Sequence, residues 1–243
     1  MKNEHEKIDG GEIVIENRFL RWLDNFWYHY KWTVIVVGFF VIVGLICFVQ
    51  CATNEKGDIV VAYTGDCAMS MDERERLTTV LESLTPKGKD GKTAQSVTLN
   101  HYLVYDHEKL KESYTDENGE FYQLGYQTAL SESQKSLQTF DSYVGTGDSA
   151  VYLVSKYVYL QRPDLVRMMR PLSDMGVDTA DCAYDDYAIR LCDTAFYQFY
   201  QGVLGFIPAD TLLLMPAKIV FTDEKAYADY EALWTAIVTF EAP

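Results

Sequence analysis

The fold is decided first by one run without a charged residue, Thr33-Val34-Ile35-Val36-Val37-Gly38-Phe39-Phe40-Val41-Ile42-Val43-Gly44-Leu45-Ile46-Cys47-Phe48-Val49. With its flanks the run covers residues 32–52, which is enough for a helix to cross about 30 Å of hydrocarbon. A segment in lipid must satisfy its own backbone hydrogen bonds, so the run is predicted to be a transmembrane helix. Residues 1–31 then form a tail, and residues 57–243 form one domain on the other side.

Basic residues near the run indicate its orientation. Arg18, Arg21 and Lys31 precede it closely, whereas only Lys56 follows it at a similar distance. Because Lys and Arg accumulate on the cytoplasmic side, the N-terminus is predicted to be cytoplasmic and the domain extracytoplasmic, in a single-pass protein of the cell membrane. Aromatic residues at the inner edge fit an interfacial belt; they are Trp22, Phe26, Trp27, Tyr28, Tyr30 and Trp32.

The residues before the run favour a retained anchor. Apolar residues recur there at near-helical spacing, which predicts an amphipathic juxtamembrane helix that sets the tilt of the span or docks a membrane partner. A cleaved signal peptide has a short basic start and an apolar stretch of about 7–15 residues, whereas this lead is longer and mixed in charge. A lipoprotein signal needs a small residue before its cysteine, but Ile46 precedes Cys47 and Gln50 precedes Cys51.

Charge narrows the classes of partner. The chain has 21 Lys and Arg against 36 Asp and Glu, a net charge of −15. Nucleic acids and anionic headgroups attract basic surface, so no nucleic-acid partner is expected. The acidic surface serves solubility, or else it attracts a cationic ligand or a metal ion.

Cysteine usage leaves two alternatives open. An oxidising exterior permits one disulfide among Cys67, Cys182 and Cys192, while buried unpaired cysteines that pack as small apolar residues are the alternative. The sequence contains no Cys-x-x-Cys pair and no His/Cys cluster, so neither a zinc site nor another cofactor is expected.

After residue 57 the sequence alternates between strand and helix patterns. Short apolar runs predict strands at Asp58–Tyr63, Ser96–Tyr105, Ala150–Val154, Tyr187–Leu191 and Thr211–Val220. Helical periodicity separates them, and Ser70 with Glu73 forms a capping box before the first of these helices. The order predicts an α/β fold with a mostly parallel sheet flanked by helices, as one unit or two small lobes. Pro216 makes the last strand an edge strand or a bent one.

Two glycine-containing turns bear on function. Thr64-Gly65-Asp66 follows the first strand and precedes a helix, where open α/β sheets bind ligands, although a plain turn is the alternative. Gly145-Thr146-Gly147-Asp148 lacks the Gly-Lys-Ser/Thr ending of a phosphate loop and fits the end of a helix better.

Candidate catalytic groups are sparse. An acidic group, Asp181, Asp185, Asp186 and Asp193, has no metal-site spacing and fits a solvated loop, with acid/base chemistry as the alternative. No Gly-x-Ser-x-Gly elbow is present. The domain contains only His101 and His107, which fit structural or surface roles better than a Cys/His pair. The 18 tyrosines of the chain suit core packing or the mouth of a cleft.

The distal half resembles a type II periplasmic (extracellular) solute-binding protein. The resemblance is carried by Gly147-Asp148, by Ala150–Val154 with the short helix after it, by Tyr187–Leu191 and by Asp210–Leu214. It implies two lobes and a ligand cleft, in a domain much shorter than that family usually has.

Three functional hypotheses follow. The first is a membrane-anchored extracytoplasmic binding protein without catalytic activity, which takes a small-molecule ligand at Thr64, Asp66 and Tyr152. The second is an accessory subunit of a membrane complex that docks an integral membrane partner through its juxtamembrane helix and span. The third is a hydrolase that uses the acidic group.

Overall fold

The computed structural model describes residues 18–53, 59–87, 94–146, 151–219 and 224–242, in two compact units, Met1–Glu55 and Lys56–Pro243. In the first unit, helix α1 runs without interruption over Arg18–Thr53. Its segment Phe26–Ile46 has a mean hydropathy of 1.8, and none of it is buried inside the protein. Helix α1 is therefore long and apolar enough to span a membrane. The predicted juxtamembrane helix continues into the apolar run, while residues 1–17 lie outside the described residues.

The second unit is built on one five-stranded sheet with the order β2-β1-β3-β5-β4. Its strands are β1 (Ile59–Gly65), β2 (Val97–Leu103), β3 (Val151–Ser155), β4 (Ala188–Arg190) and β5 (Thr211–Leu214). Strand β1 pairs in parallel with both β2 and β3, placing Ile59 opposite Val97 and Tyr63 opposite Leu153. Strand β5 is antiparallel to both β3 and β4.

The sheet is therefore mixed, and the prediction of a mostly parallel sheet is only partly right. The backbone N–H of Lys156 donates to the carbonyl of Asp210 at 3.1 Å, so β5 begins beside the end of β3. A strand that starts at the carboxyl edge of its neighbour must run antiparallel to it. The described residues of the domain form one unit on one sheet, instead of two lobes.

Helices cover both faces of the sheet in a three-layer arrangement. Their bounds are α2 (Met71–Glu82), α3 (His107–Ser113), α4 (Gln123–Thr146), α5 (Lys156–Gln161), α6 (Pro163–Val166), α7 (Ala195–Leu204) and α8 (Glu224–Val238). Successive strand residues point to opposite faces, so each face has its own core. One core joins Tyr63 to α2, α7 and α8, and the other joins Tyr152 to α4, α5 and α6.

Several local predictions are confirmed. Ser70 and Glu73 form the expected capping box, and Leu77, Val80 and Leu81 are the buried stripe of α2. The sequence predicts a short aromatic helix over Ala195–Leu204, and α7 has these bounds. Its first turn is capped by the Thr194 side chain, which accepts from the N–H of Tyr197. The sequence also predicts that Thr222 caps the last helix, but this residue lies outside the described residues.

Other local predictions are wrong. Strand β5 is an interior strand that ends at Leu214, before Pro216, instead of an edge strand. The charged stretch after β2, in which the sequence predicts no helix, contains helix α3, which Asp106 opens by accepting from the N–H of Glu108 at 2.9 Å. By contrast, the predicted helix end at Gly145-Thr146-Gly147-Asp148 is confirmed, because α4 ends at Thr146. Gly147 and Asp148 lie outside the described residues.

Candidate functional site

The parallel strands β1, β2 and β3 all end at the same edge of the sheet, which we call the carboxyl edge. Ser155 ends β3 and opens α5, because its hydroxyl accepts from the N–H of Val158 at 3.3 Å. After β2, the N–H of Tyr105 donates to the hydroxyl of Ser133 on α4 at 3.0 Å. The first bond fixes the start of α5, and the second holds the segment before α3 against α4. One opening lies among these elements.

That opening is a cleft of about 270 Å³ between α4 and α5, which we call the α4–α5 cleft. Its apolar lining comes from Val104, Leu137 and Val158. Polar and aromatic side chains complete the lining, namely Tyr105, His107, Ser133, Gln134, Tyr157, Gln161 and Arg162. Ligand sites in α/β proteins combine such an apolar body with a few polar groups at the carboxyl ends of strands.

The one guanidinium in the cleft lining is already engaged by carboxylates. Arg162 donates from Nε and Nη2 to the two carboxylate oxygens of Asp164, at 3.0 and 2.6 Å, and from Nη1 to Asp141. The hydrogen bonds from Arg162 lower the pKa of Asp164 to about 2, and Asp164 and Asp141 raise the pKa of Arg162. The bidentate pair therefore fixes the rim and offsets the charge that Arg162 would present to a ligand.

Other residues of the cleft lining present aromatic rings and amide groups. The rings of His107 and Tyr157 lie 6.1 Å apart between centroids. Burial raises the pKa of Tyr157, so its phenol stays a hydroxyl. Gln134 and Gln161 add amide groups that can both donate and accept. The cleft is thus suited to a small molecule without net charge.

The structure buries two of the three residues predicted to bind ligand. Asp66 lies at the carboxyl edge, where its carboxylate accepts from Lys109 Nζ at 3.3 Å. Thr64 is fully buried, and its hydroxyl has no hydrogen-bond partner in the part of the chain that the structure describes. Tyr152 is fully buried in the core, where its ring meets Phe140 edge-on at 5.8 Å. None of the three lines the α4–α5 cleft.

Cys67 and His101 do come together, but through the main chain. Nε2 of His101 donates to the carbonyl of Cys67 at 2.7 Å, and Nδ1 lies 3.1 Å from Nη2 of Arg74. The thiol of Cys67 donates to the carbonyl of Phe206 at 3.3 Å. Burial raises the pKa of this thiol, and the carboxylates of Glu73 and Asp66 add to the effect. A protonated thiol held in this way is a poor nucleophile.

Burial lowers the pKa of His101, so this residue should make stability depend on pH. An unfolded histidine has a pKa of about 6.5 and then binds a proton more readily than the folded one. Stability is therefore full above about pH 7 and falls as the pH drops through about 6.5. We expect the urea midpoint of wild type to fall between about pH 7 and pH 5, and His101→Gln to flatten that slope. Equal slopes for both proteins would contradict this role.

Gly65 lies at the carboxyl edge, where the surrounding atoms leave no room for a larger side chain. A Cβ added there would lie 2.7 Å from the Tyr63 hydroxyl and 3.0 Å from Cβ of Ser155. We expect Gly65→Ala to cost about 1–3 kcal/mol through overpacking, measured by urea unfolding. Gly202 on α7 is the matched control because a Cβ there meets nothing within 4 Å. Gly202→Ala should stabilise by about 0.5–1 kcal/mol, and a loss as large as that of Gly65→Ala would refute the steric argument.

The acidic group is divided among separate contacts. Asp185 accepts from the Tyr159 hydroxyl at 2.7 Å and from the N–H groups of Tyr187 and Ala188. Asp193 pairs with Arg190 at 3.3 Å. Within the described ranges, no three His, Cys, Asp or Glu side chains are placed to hold one metal ion. Cys67, Cys182 and Cys192 are free thiols, so of the two cysteine alternatives the structure has the unpaired one.

Sequence reasoning missed His107, Gln134, Tyr157 and Arg162 as cleft residues. The available signal was position, because Val104 and Tyr105 end a predicted strand, and His107 follows it closely, as Asp66 follows the first predicted strand. Comparison with family models, with characterised proteins and with solved structures found no match to this chain.

Proposed function

We propose that this chain is a single-pass membrane protein with a cytoplasmic N-terminus, which presents an extracytoplasmic, non-catalytic binding domain. Its ligand site is the α4–α5 cleft. The anchor is supported by the length and apolar character of Phe26–Ile46, and the orientation by the basic residues that precede it.

The observation that carries the binding function is the composition of the cleft wall. Val104, Leu137 and Val158 offer apolar surface, whereas Gln134 and Gln161 offer neutral hydrogen bonds. A volume of about 270 Å³ is near the lower end for small-molecule sites. These features favour a compact, uncharged ligand with an apolar body and a few polar groups. The solute-binding resemblance agrees with binding, although this cleft lies between helices instead of lobes.

A thermal-shift screen tests the proposal on the full chain in lipid nanodiscs. The panel comprises neutral amino acids, sugars and short uncharged peptides, with polyamines and divalent metal ions as charged comparisons. A ligand at about 100 times its dissociation constant should stabilise the fold by about 2.7 kcal/mol. We expect one class of neutral compounds to raise the melting temperature. A selective response to polyamines or metal ions would contradict the proposed ligand class, and no response to any compound would contradict binding.

An accessory subunit of a membrane complex is the second candidate, and one feature of α1 favours it. Trp22, Phe26 and Tyr30 stack along one side of the helix, with ring centroids 5.5 and 5.2 Å apart, and all three are exposed. Such a ridge suits packing against another membrane protein or the headgroups. A photo-crosslinker in place of Phe26 should then capture one discrete integral membrane protein in native membranes. Capture of lipid alone would contradict this candidate.

A further inference from the structure

The two outer edges of the sheet differ in how they are covered. On the β4 side, the N–H of Arg190 donates to the carbonyl of Cys182 at 2.8 Å, and the N–H of Tyr184 donates to the carbonyl of Ala188 at 2.8 Å. The segment before β4 thus covers that edge. Strand β2 forms the other edge, and within the described residues no segment pairs with its outer side.

The outward groups of β2 can be identified from its bonds to β1. The carbonyl of Ser96 accepts from Ile59 at 3.1 Å, and the N–H of Val104 donates to Gly65 at 2.8 Å. Even-numbered residues therefore face β1, and odd-numbered residues direct their backbone groups outward. Among these, the N–H of Val97 donates to Oε1 of Glu82 at 3.0 Å. The outward groups of the other three have no hydrogen bond in the part of the chain that the structure describes; they belong to Leu99, His101 and Leu103.

Strand β2 also lacks the devices that usually protect an edge. Its sequence, Val-Thr-Leu-Asn-His-Tyr-Leu over Val97–Leu103, contains no charged residue, no proline and no glycine. Natural edge strands are commonly guarded by charged residues, proline or bulges. An edge of this length without them is a template for another strand.

Charged residues on α2 determine which strand the β2 edge accepts. Glu82 lies beside Val97, at the start of β2, and Arg74 lies beside His101, towards its end. In an antiparallel pair of two identical edges, the start of one β2 lies beside the end of the other. Glu82 of each copy then faces Arg74 of the other, whereas a parallel pair would place like charges together. Two copies of a chain with a net charge of −15 repel each other. The opposite charges of Glu82 and Arg74 offset this repulsion at the paired edges.

We propose that two copies of the chain associate through β2, antiparallel and about a two-fold axis, to form one continuous ten-stranded sheet from two five-stranded sheets. The axis passes at Leu99, because this register places Val97, beside Glu82, opposite His101, beside Arg74, of the other copy. In the pair, the N–H of Val97 donates to the carbonyl of His101 in the other copy, and Glu82, released from Val97, pairs with Arg74 of that copy. This inference is independent of the ligand proposal, because it is read from the oligomeric state and not from ligand binding.

A proline substitution tests the backbone bonds. The full chain in detergent micelles is analysed by light scattering after size exclusion, and wild type should be a dimer. Leu99→Pro removes an outward N–H and is tolerated at an edge, so it should give a monomer. Leu99→Ala keeps that N–H and should remain a dimer. A monomeric wild type, or a dimeric Leu99→Pro protein, overturns the proposal.

A charge swap tests the pairing without changing the strand. Arg74→Glu and Glu82→Arg each place like charges together at both ends, so each variant alone should be monomeric. Mixing the two restores both opposite-charge contacts, so an equimolar mixture should form a heterodimer by native mass spectrometry. Association through α1 would instead leave both single variants dimeric, which counts against the proposal, as does a mixture that stays monomeric.

Discussion

A chain that carries both Val36→Asp and Phe40→Asp is expected to leave the membrane fraction. Both residues lie near the middle of Phe26–Ile46, and their side chains are exposed on α1. An aspartate near the centre of a membrane helix costs about 3 kcal/mol, and each removed Val or Phe had favoured insertion by about 0.5 kcal/mol. The combined penalty of about 7 kcal/mol should abolish stable insertion. The measurement is the amount of chain left in carbonate-washed membrane pellets.

The matched control replaces the same two residues with alanine. Val36→Ala with Phe40→Ala shortens the side chains without adding charge, so this protein should stay in the pellet. If the aspartate variant also resists carbonate extraction, α1 is not held in the hydrocarbon, and the anchor in our proposal is wrong.

The second large effect is a loss of stability on truncation of Trp234, in the core between α8 and the sheet. Trp234 is fully buried against the sheet face that carries Tyr63, among the side chains of α2, α7 and α8. Its indole N–H has no hydrogen-bond partner among the described residues, so truncation to alanine removes packing contacts but no hydrogen bond to those residues. We expect Trp234→Ala to lower the free energy of unfolding by about 3–5 kcal/mol. Urea unfolding of the full chain, followed by far-ultraviolet circular dichroism, measures this loss.

Leu160 on α5 provides the comparison, because its side chain is 60% exposed. Leu160→Ala should change stability by no more than about 0.5 kcal/mol. A similarly small change in Trp234→Ala would mean that α8 does not pack on the sheet as described.

The elements with local signals could be predicted from the sequence. Ser70 and Glu73 satisfy each other's backbone groups within one turn, so the start of α2 needs no distant contact. Strands β1 and β3 are buried on both faces and appear as short apolar runs. Helix α3 was missed because its seven residues bury only Leu110, which leaves too little periodicity to recognise.

Strand direction and cleft composition depend on contacts that no local pattern records. The direction of β5 is set by where the chain returns after α7, near the end of β3, and helix periodicity does not report that position. The cleft joins Tyr105, Gln134 and Tyr157, which are distant in sequence and unremarkable in type. Thr64 and Tyr152 were chosen for their nearness to the ends of strands, but strand alternation directs both side chains into a packed layer.

The most direct test of the central claim compares two tryptophan variants on α4. Gln134 lines the cleft, whereas Gln138, one turn further along, is exposed and does not line it. The dissociation constant of the most stabilising neutral compound is measured by isothermal titration calorimetry on the full chain in nanodiscs. Gln134→Trp fills the cleft and should weaken binding at least about tenfold, a change of 1.4 kcal/mol, while Gln138→Trp should bind like wild type. Equal affinity in all three proteins would contradict a ligand site in the α4–α5 cleft.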